Sequence, residues 1–559
     1  DYFADAQFSQ RLISELLSPL SFNSFQSFNG FSSEPSANDY AALFDRPSHR
    51  TKVNFTGTNV DDDYQGSVLQ AGVEGKVGYL ATYGHRSLGP GNLREHNSRI
   101  ALQYQPNVDN RFIVEGELNS FDDEVTEDEF ERLDVTGAIG SYHRLSESTE
   151  LISRFEYFGR DVETKTPLFI DAATQNVILG SDSVLFPEFE IDLNQNTDED
   201  IDTVRGNIQV IHRQDWGSLV SGVEYVYADG EGDEDSLILG DSAGYFDGIT
   251  RSRDSRGTYN TNTVSAYSYL TNYLADWLIV TSGFSYRKVE LPAFTVIAPY
   301  LSGEDEKTRF SPKFGVTITP TDHLTVRGAY FRNLGASSIN DIGTIEPTVV
   351  GSFVQLLGDL PGVRSETYGI GVDYKLPKNF YTGIEYTYRD LDRDDIFVVT
   401  DFTTDATNLT DTYSLRKEVG PDRERENLIR YYLYGVLTDQ WTSLLEYRRD
   451  SIESLDADEQ NDIDRVRMGA RYFSPHRWFA LTDIDWYNQH RINLPGFENG
   501  TEDFWVVNAG VGYRFPKRHG QARLQLVNLL DESFNFASRS RFTDPPSGLG
   551  FLADFSVNF

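Results

Sequence analysis

Residues 504–514 read FWVVNAGVGYR, a stretch in which apolar or aromatic residues alternate with Asn, Gly and Arg. The apolar set consists of Trp505, Val507, Ala509, Val511 and Tyr513, and the opposing set of Asn508, Gly510, Gly512 and Arg514. Successive side chains of a β-strand point to opposite faces, so this period of two predicts a strand with one apolar and one polar face. The same pattern recurs in LTVRGAY at 324–330 and in VRMGARY at 466–472.

The alternating pattern gives about 22 strands between residue 50 and the end of the chain. Tight links, such as those at 320–322 and 377–378, alternate with long connections. The longest connections are expected over residues 160–201, 229–257, 334–365 and 391–426. Short turns on one side and long loops on the other are typical of transmembrane barrels of the bacterial outer membrane. We therefore predict an all-β fold, a transmembrane antiparallel β-barrel with short periplasmic turns, long acidic extracellular loops and both termini in the periplasm.

Composition restricts the alternatives. Mean hydropathy is -0.45 and no run of about 18 apolar residues occurs, which excludes a helical membrane span. The absence of Cys among the 559 residues removes disulfides, Cys nucleophiles and Cys-ligated zinc. A net charge of -38 disfavours a nucleic-acid surface, because phosphate is repelled overall. Two interpretations stay open for the acidic loops: loose binding of divalent cations that bridge lipopolysaccharide, or solvation of the surface.

The chain divides into two parts of different character. Residues 6–20 carry Leu and Ile at helical spacing, which predicts a short amphipathic helix ending near Pro19. A stretch rich in Ser, Phe and Asn follows. We therefore expect an N-terminal periplasmic or lumenal segment over residues 1–49 and the outer-membrane barrel over residues 50–559.

The polar faces of the strands carry many arginines. A charge on the lipid face costs about 2 to 4 kcal/mol near the bilayer midplane, which favours an inward orientation. One interpretation is a guanidinium-lined pore for anionic solutes or an anionic polymer, and the other is an Arg–carboxylate network that braces the wall. The expected lumen-facing residues are Arg99, Arg154, Arg205, Arg327, Arg430, Arg448, Arg465, Arg467, Arg471, Arg514 and Arg523.

Covalent chemistry has little support in the residue pattern. The nine His residues are scattered and show no metal-ligand spacing such as H-E-x-x-H. The acidic clusters at 61–63, 229–235 and 456–464 do not fit the calcium loop D-x-[DN]-x-[DN]-G. We therefore predict no catalytic residues, no cofactor-binding residues and no metal site beyond loosely bound divalent cations.

The closing segment resembles a known family. Residues 504–536 read FWVVNAGVGYRFPKRHGQARLQLVNLLDESFNF and the chain ends in FLADFSVNF. These segments resemble the last strands of TonB-dependent receptors, with 527–531 (VNLLD) at the place of the family's NLFD phrase. The terminal Phe559 is similar to the signal that the outer-membrane assembly machinery reads. Residues 331–376, which include TIEPT at 344–348, resemble a narrower group of barrels found downstream of tetratricopeptide repeats.

The resemblance implies partners and a function. It implies contact with outer-membrane lipid and lipopolysaccharide, with the assembly machinery, and with a periplasmic repeat module or a surface protein. Receptors of this family begin with a TonB box and a large plug domain, whereas only 49 residues precede the first predicted strand here. We therefore expect a plugless barrel, not an enzyme, that passes a solute or polymer across the outer membrane. A structural anchor or export component is the alternative, and a barrel hydrolase is the third hypothesis.

Overall fold

The computed structural model describes most of the chain from residue 49 onward. The described residues are 49–59, 64–88, 93–125, 128–172, 175–179, 182–186, 189–241, 251–292, 304–335, 346–347, 349–355, 362–405, 410–494, 496–516, 519–537, 545 and 548–558. The predicted helix at 6–20 and Phe559 lie outside these residues. In the described part of the chain, no helix is long and apolar enough to span a membrane.

The regular elements are β-strands throughout. The first thirteen are β1 His49–Thr58, β2 Tyr64–Glu74, β3 Val77–Leu88, β4 Leu93–Asn107, β5 Asn110–Val125, β6 Asp128–Arg144, β7 Thr149–Ala172, β8 Gln175–Leu179, β9 Asp182–Phe186, β10 Phe189–Gln214, β11 Gly217–Asp241, β12 Arg251–Ala275 and β13 Leu278–Pro292. The others are β14 Glu304–Thr321, β15 Leu324–Leu334, β16 Val349–Val350, β17 Phe353–Val354, β18 Arg364–Leu376, β19 Phe380–Asp405, β20 Thr410–Val436, β21 Trp441–Ser454, β22 Glu459–Phe473, β23 Trp478–Ile492, β24 Gly500–Arg514, β25 Gly520–Val527 and β26 Gly550–Asn558.

Twenty-two of these strands form one closed wall. Each pairs antiparallel with the next, and β1 pairs with β26 from Lys52↔Asn558 to Thr58↔Leu552. Closure gives every strand of the wall a hydrogen-bonded neighbour on each side and leaves no open edge strand, which a strand structure in lipid requires. The hairpins β8–β9 and β16–β17 are additional to the wall. The prediction of an all-β barrel with about 22 strands is confirmed.

The two faces of the wall differ as the alternation predicts. On β4, Ile100 and Leu102 point outward and are more than half exposed, whereas Ala101 and Gln103 point inward and are buried. Trp216, Trp277, Trp441 and Trp478 stand beside turns at one rim. Trp486 lies eight residues beyond Trp478 on β23, which is about 27 Å along the strand. Strand tilt reduces this to about 20 Å of apolar band between the two aromatic levels.

The connections on the two rims also differ. At the short-turn rim, residues 215–216, 276–277 and 322–323 join successive strands. The opposite rim is reached by longer strands than the sequence predicts. Strands β7, β10, β11, β12, β19 and β20 run through much of the segments expected as acidic loops.

The strand extensions have a physical reason. Apolar and polar residues alternate only where one face of a strand contacts lipid. Where a strand continues beyond the apolar band, polar residues occur at successive positions, and the sequence resembles that of a loop. The backbone still pairs, as in the ladder of β19 and β20 that continues to Asp405↔Thr410. Pairing satisfies the N–H and C=O groups whatever the side chains are.

Candidate functional site in the barrel interior

The interior face of β4 to β10 carries a chain of ion pairs. Arg99 Nη2 lies 2.7 Å from Glu115 Oε2, and Arg154 Nη1 lies 2.6 Å from Glu115 Oε1. Arg154 also contacts Glu156 at 2.8 Å, and Arg205 lies 3.7 Å from the same carboxylate. Cation and anion therefore alternate on β4, β5, β7 and β10, with β6 lying between β5 and β7, and each charge has an opposite neighbour.

A second group lies across β15, β18 and β19. The Arg327 guanidinium reaches Asp373 at 2.7 Å and Glu385 at 3.0 Å. The Tyr432 hydroxyl donates a 2.5 Å hydrogen bond to the same Asp373. Close by in the wall, Arg430 of β20 pairs with Glu446 of β21 at 2.8 Å.

The third group lies on β21 to β23. Arg465 lies 2.7 Å from Asp485, while Arg467 and Arg471 both contact Asp483, at 3.3 and 3.1 Å. Arg471 is almost wholly buried. Arg448 pairs with Asp450 on its own strand at 3.2 Å. Asp483 thus forms ion pairs with two guanidinium groups at once.

The last two predicted arginines have different surroundings. Arg514 lies over the rings of Phe473 and Phe479, with its Cζ 4.5 and 5.5 Å from their centroids, a cation–π arrangement. Arg523 is buried, and the β25–β26 register places it opposite Asp554.

All eleven predicted arginines lie on the face opposite the exposed apolar residues, and nine of them contact a carboxylate. The carboxylates therefore compensate most of the guanidinium charge, and the arrangement differs from a ring of free guanidinium groups. Such a network holds neighbouring strands in register.

A short hairpin packs inside the wall. It consists of residues 346–347 and 349–355, within the connection from β15 to β18, and is called the lumen hairpin below. Gly351 and Ser352 form its turn with φ of 56° and 69°. Two positive φ angles are typical of the two-residue I′ turn, which needs Gly or a small polar residue.

Glycine in the wall makes room for this hairpin. A Cβ built on Gly315 would lie 2.4 Å from the backbone N of Gly351, so no other residue fits at Gly315 without displacing the hairpin. The Phe353 ring covers Gly369 in the same way. Val350 and Phe353 are buried against interior aromatic residues of the wall, including Tyr269.

Buried polar side chains fasten both ends of the lumen hairpin. At one end, Glu346 accepts a 3.0 Å hydrogen bond from Arg287 Nη2 and a 2.6 Å bond from the Tyr269 hydroxyl. At the other end, Gln355 Oε1 accepts a 2.6 Å bond from Lys313 Nζ, and its Nε2 donates to the same Tyr269 oxygen at 3.2 Å. One tyrosine hydroxyl therefore joins the two ends.

A second segment, residues 528–537, also lies against the interior. Phe534 stacks on Phe504 of β24 with ring centroids 4.0 Å apart. Gln489 of β23 donates to the carbonyl of Ala537 at 3.0 Å and accepts from its N–H at 3.1 Å. Asn528, fully buried, donates from Nδ2 to the Glu532 carbonyl at 2.9 Å.

The sequence prediction missed both segments. The alternation over 521–532 predicts a single strand to residue 532, whereas β25 ends at Val527. At Asn528 the backbone N–H turns to Asn508 Oδ1, 3.0 Å away, and the ladder stops. Two sequence signals were available: the NLLD phrase for the segment 528–537, and the V-G-S-F turn at 350–353 for the lumen hairpin.

The acidic clusters are spread along the fold. Residues 61–63 lie outside the described part of the chain, residues 229–235 belong to β11, and Asp456 accepts a 2.8 Å hydrogen bond from the N–H of Arg423. Among the described residues, no three His, Asp or Glu side chains are grouped closely enough to hold a metal ion.

Solved structures share this barrel. A structure described as the copper transporter OprC superposes with a TM-score of 0.66 at 12% identity, covering 92% of this chain and 81% of that one. The siderophore receptor PiuA from Acinetobacter baumannii gives 0.62 at 11%, covering 92% and 82%. The ferric citrate transporter FecA in its unliganded form gives 0.62 at 11%, covering 92% and 79%. Identities this low show a common fold.

The family assignment rests on the sequence profile. No curated protein sequence matches the chain. The family described as "TonB dependent receptor-like, beta-barrel" matches residues 22–529, which is most of the chain. The three structures are described as two transporters and a receptor. The closed 22-strand wall and this match together show that the chain belongs to the TonB-dependent receptor-like β-barrel family of the bacterial outer membrane.

Proposed function

We propose that this barrel provides a passive route for a solute or polymer across the outer membrane. The observation that carries the proposal is the closed wall with a charged, hydrogen-bonded interior, which water and polar solutes can enter. The short-turn rim, and with it both termini, faces the periplasm. The transported molecule crosses without forming a covalent bond to the protein.

The proposed route works without a plug domain. The lumen hairpin and residues 528–537 already occupy space against the interior wall, and a folded plug would have to share the lumen with both. Their contacts with β12 to β18 and with β23 and β24 supply the narrowing that a plug supplies elsewhere.

The paired arginines argue for weak charge selectivity. Nine guanidinium groups contact carboxylates, so few positive charges are free to concentrate anions. We propose that small polar solutes of either sign, and neutral ones, pass with similar ease. Lipid, lipopolysaccharide and the assembly machinery are the expected partners, and divalent cations are expected to associate loosely with the acidic strand extensions.

The alternative is a structural anchor. The buried ion pairs and the two inward segments also suit a wall that holds a surface or periplasmic complex and conducts little. A hydrolase has weaker support. Residues 240–244 read GDSAG, a nucleophile-elbow pattern, but residues 242–244 lie outside the described part of the chain, so the structure adds no support to it.

Single-channel recording tests the proposal. The purified barrel, inserted in a planar bilayer at symmetric salt, is expected to give discrete current steps. Insertion is checked separately by the gel shift between heated and unheated samples, which reports a folded barrel. A stably folded and inserted barrel without current steps would contradict passive passage and favour the anchor.

A further inference from the structure

We infer that the lumen hairpin is a fixed constriction that sets the upper size of solutes admitted by the barrel. The inference rests on the proposed passage function and adds the element that determines specificity. It requires that the hairpin stay in place, that it act through its volume, and that the wall be built to receive it.

The fastening at both ends keeps the hairpin in place. Glu346 and Gln355 are 3% and 2% exposed, and the wall groups that hold them, Arg287 and Lys313, are 5% and 2% exposed. Releasing the hairpin would leave the buried Arg287 guanidinium without its counter-charge, and Lys313 would lose its bond to Gln355 while keeping Arg332 O and Asn333. Uncompensated buried charges are costly, so the docked state is strongly favoured.

The tip of the hairpin acts through volume. Residues 349–354 read VVGSFV and include no charged side chain. The charge of Glu346 is compensated by Arg287, at 3.0 Å. An uncharged obstacle on the wall narrows the path for every solute and attracts neither anions nor cations, so it selects by size.

The wall is built to receive the tip. Gly315 and Gly369 both present bare backbone inward where Gly351 and Phe353 approach. The Arg327 guanidinium, held by Asp373 and Glu385, lies over the Phe353 ring at 5.3 Å from the centroid. The surface that receives the hairpin tip therefore extends across three neighbouring strands, β14, β15 and β18.

Gly315→Val tests the inference, because the added side chain would occupy the position of the Gly351 backbone. Gly140→Val is the matched control: it lies on an inward face, and its Cβ would meet only ordinary contacts at 3.8 Å or more. Liposome swelling with neutral sugars of increasing size measures the size limit. We expect Gly315→Val to admit sugars near the limit at least about twofold faster than wild type, with Gly140→Val unchanged.

A thiol probe measures docking directly. The chain has no Cys, so Ser352→Cys supplies one defined site at the hairpin turn. Its rate of modification by a maleimide is expected to rise at least about threefold when Gly315→Val is added, because an undocked turn is more accessible. The heated and unheated gel shift checks folding. If Gly315→Val does not fold, Phe353→Ala removes the ring over Gly369 without altering the wall.

The outcomes separate the two claims. A larger size limit together with faster thiol modification supports the constriction, as does passage gained only in the variant. If wild type passes sugars and the variant shows an unchanged size limit and thiol rate, the constriction is overturned and the proposed function stands. No sugar passage by wild type or by any variant overturns the proposed function and the size limit together.

Discussion

Two parts of the interior wall are built in opposite ways. On β4 to β10, long charged side chains pair with one another, as in the run from Arg99 through Glu115 and Arg154 to Glu156. On β12 to β18, glycines leave bare backbone and a distant segment packs on it, with Gly315 under Gly351. A wall of mutually satisfied charges needs no further partner, whereas a wall with bare backbone provides space for a docked segment.

The largest effect is expected from removing the charge that fastens the lumen hairpin. Glu346→Ala leaves Arg287 buried without its carboxylate, which costs about 3 to 5 kcal/mol. Urea unfolding of the refolded barrel in detergent or lipid measures this. The control is Glu290→Ala, whose partner Lys288 is partly exposed and keeps a second carboxylate, Glu306, so this variant should stay close to wild type. Equal stability of the two variants would contradict the importance of this anchor.

A slightly smaller loss is expected on the other side of the comparison. Arg154→Ala removes the central cation between Glu115 and Glu156, at a cost of about 3 kcal/mol. The same unfolding measurement applies. Arg213→Ala removes a half-exposed guanidinium that pairs with Glu150, so it should change stability by less than about 1 kcal/mol. If Arg154→Ala is as mild as Arg213→Ala, the network does not brace the wall.

The stacked ring of the second inward segment is expected to contribute less. Phe534→Ala removes the ring that packs on Phe504 and should cost about 1 to 2 kcal/mol. Ser533→Ala is the neighbouring control at an exposed position. Tryptophan fluorescence during urea unfolding reports the stability of both variants, since Trp486 and Trp505 lie on the wall strands β23 and β24. A loss no greater than that of the control would show that the segment is held by its backbone hydrogen bonds alone.

The smallest effect is expected in ion selectivity, measured on barrels that the heated and unheated gel shift shows to be folded. Replacing Arg465, Arg467 and Arg471 together by Gln leaves Asp483 and Asp485 without their cations. The lumen becomes locally negative, and the reversal potential in a salt gradient should shift toward cation preference. Arg449→Gln is the control, because Arg449 pairs with Asp462 and Asp464 on the outward face. An unchanged reversal potential in the triple variant would place these charges away from the permeation path.

The local sequence predicted the wall well because lipid on one side and water on the other impose the same period of two on every strand. That period gave 22 strands and put Arg327 and its counterparts on the polar face. It failed over much of 160–201 and 391–426, where the polar sequence is typical of loops but the described residues form paired strands.

The sequence by itself determined the closed, two-faced wall, because each strand responds to its local environment and needs only its own alternation. Only the tertiary structure decided which carboxylate meets which arginine and where the chain turns inward. Tyr269 and Gln355, which share a hydrogen bond, are 86 residues apart. Contacts of that kind form only when the barrel closes and brings distant strands together. They also depend on small wall residues such as Gly315, whose role is visible only when another segment packs on them.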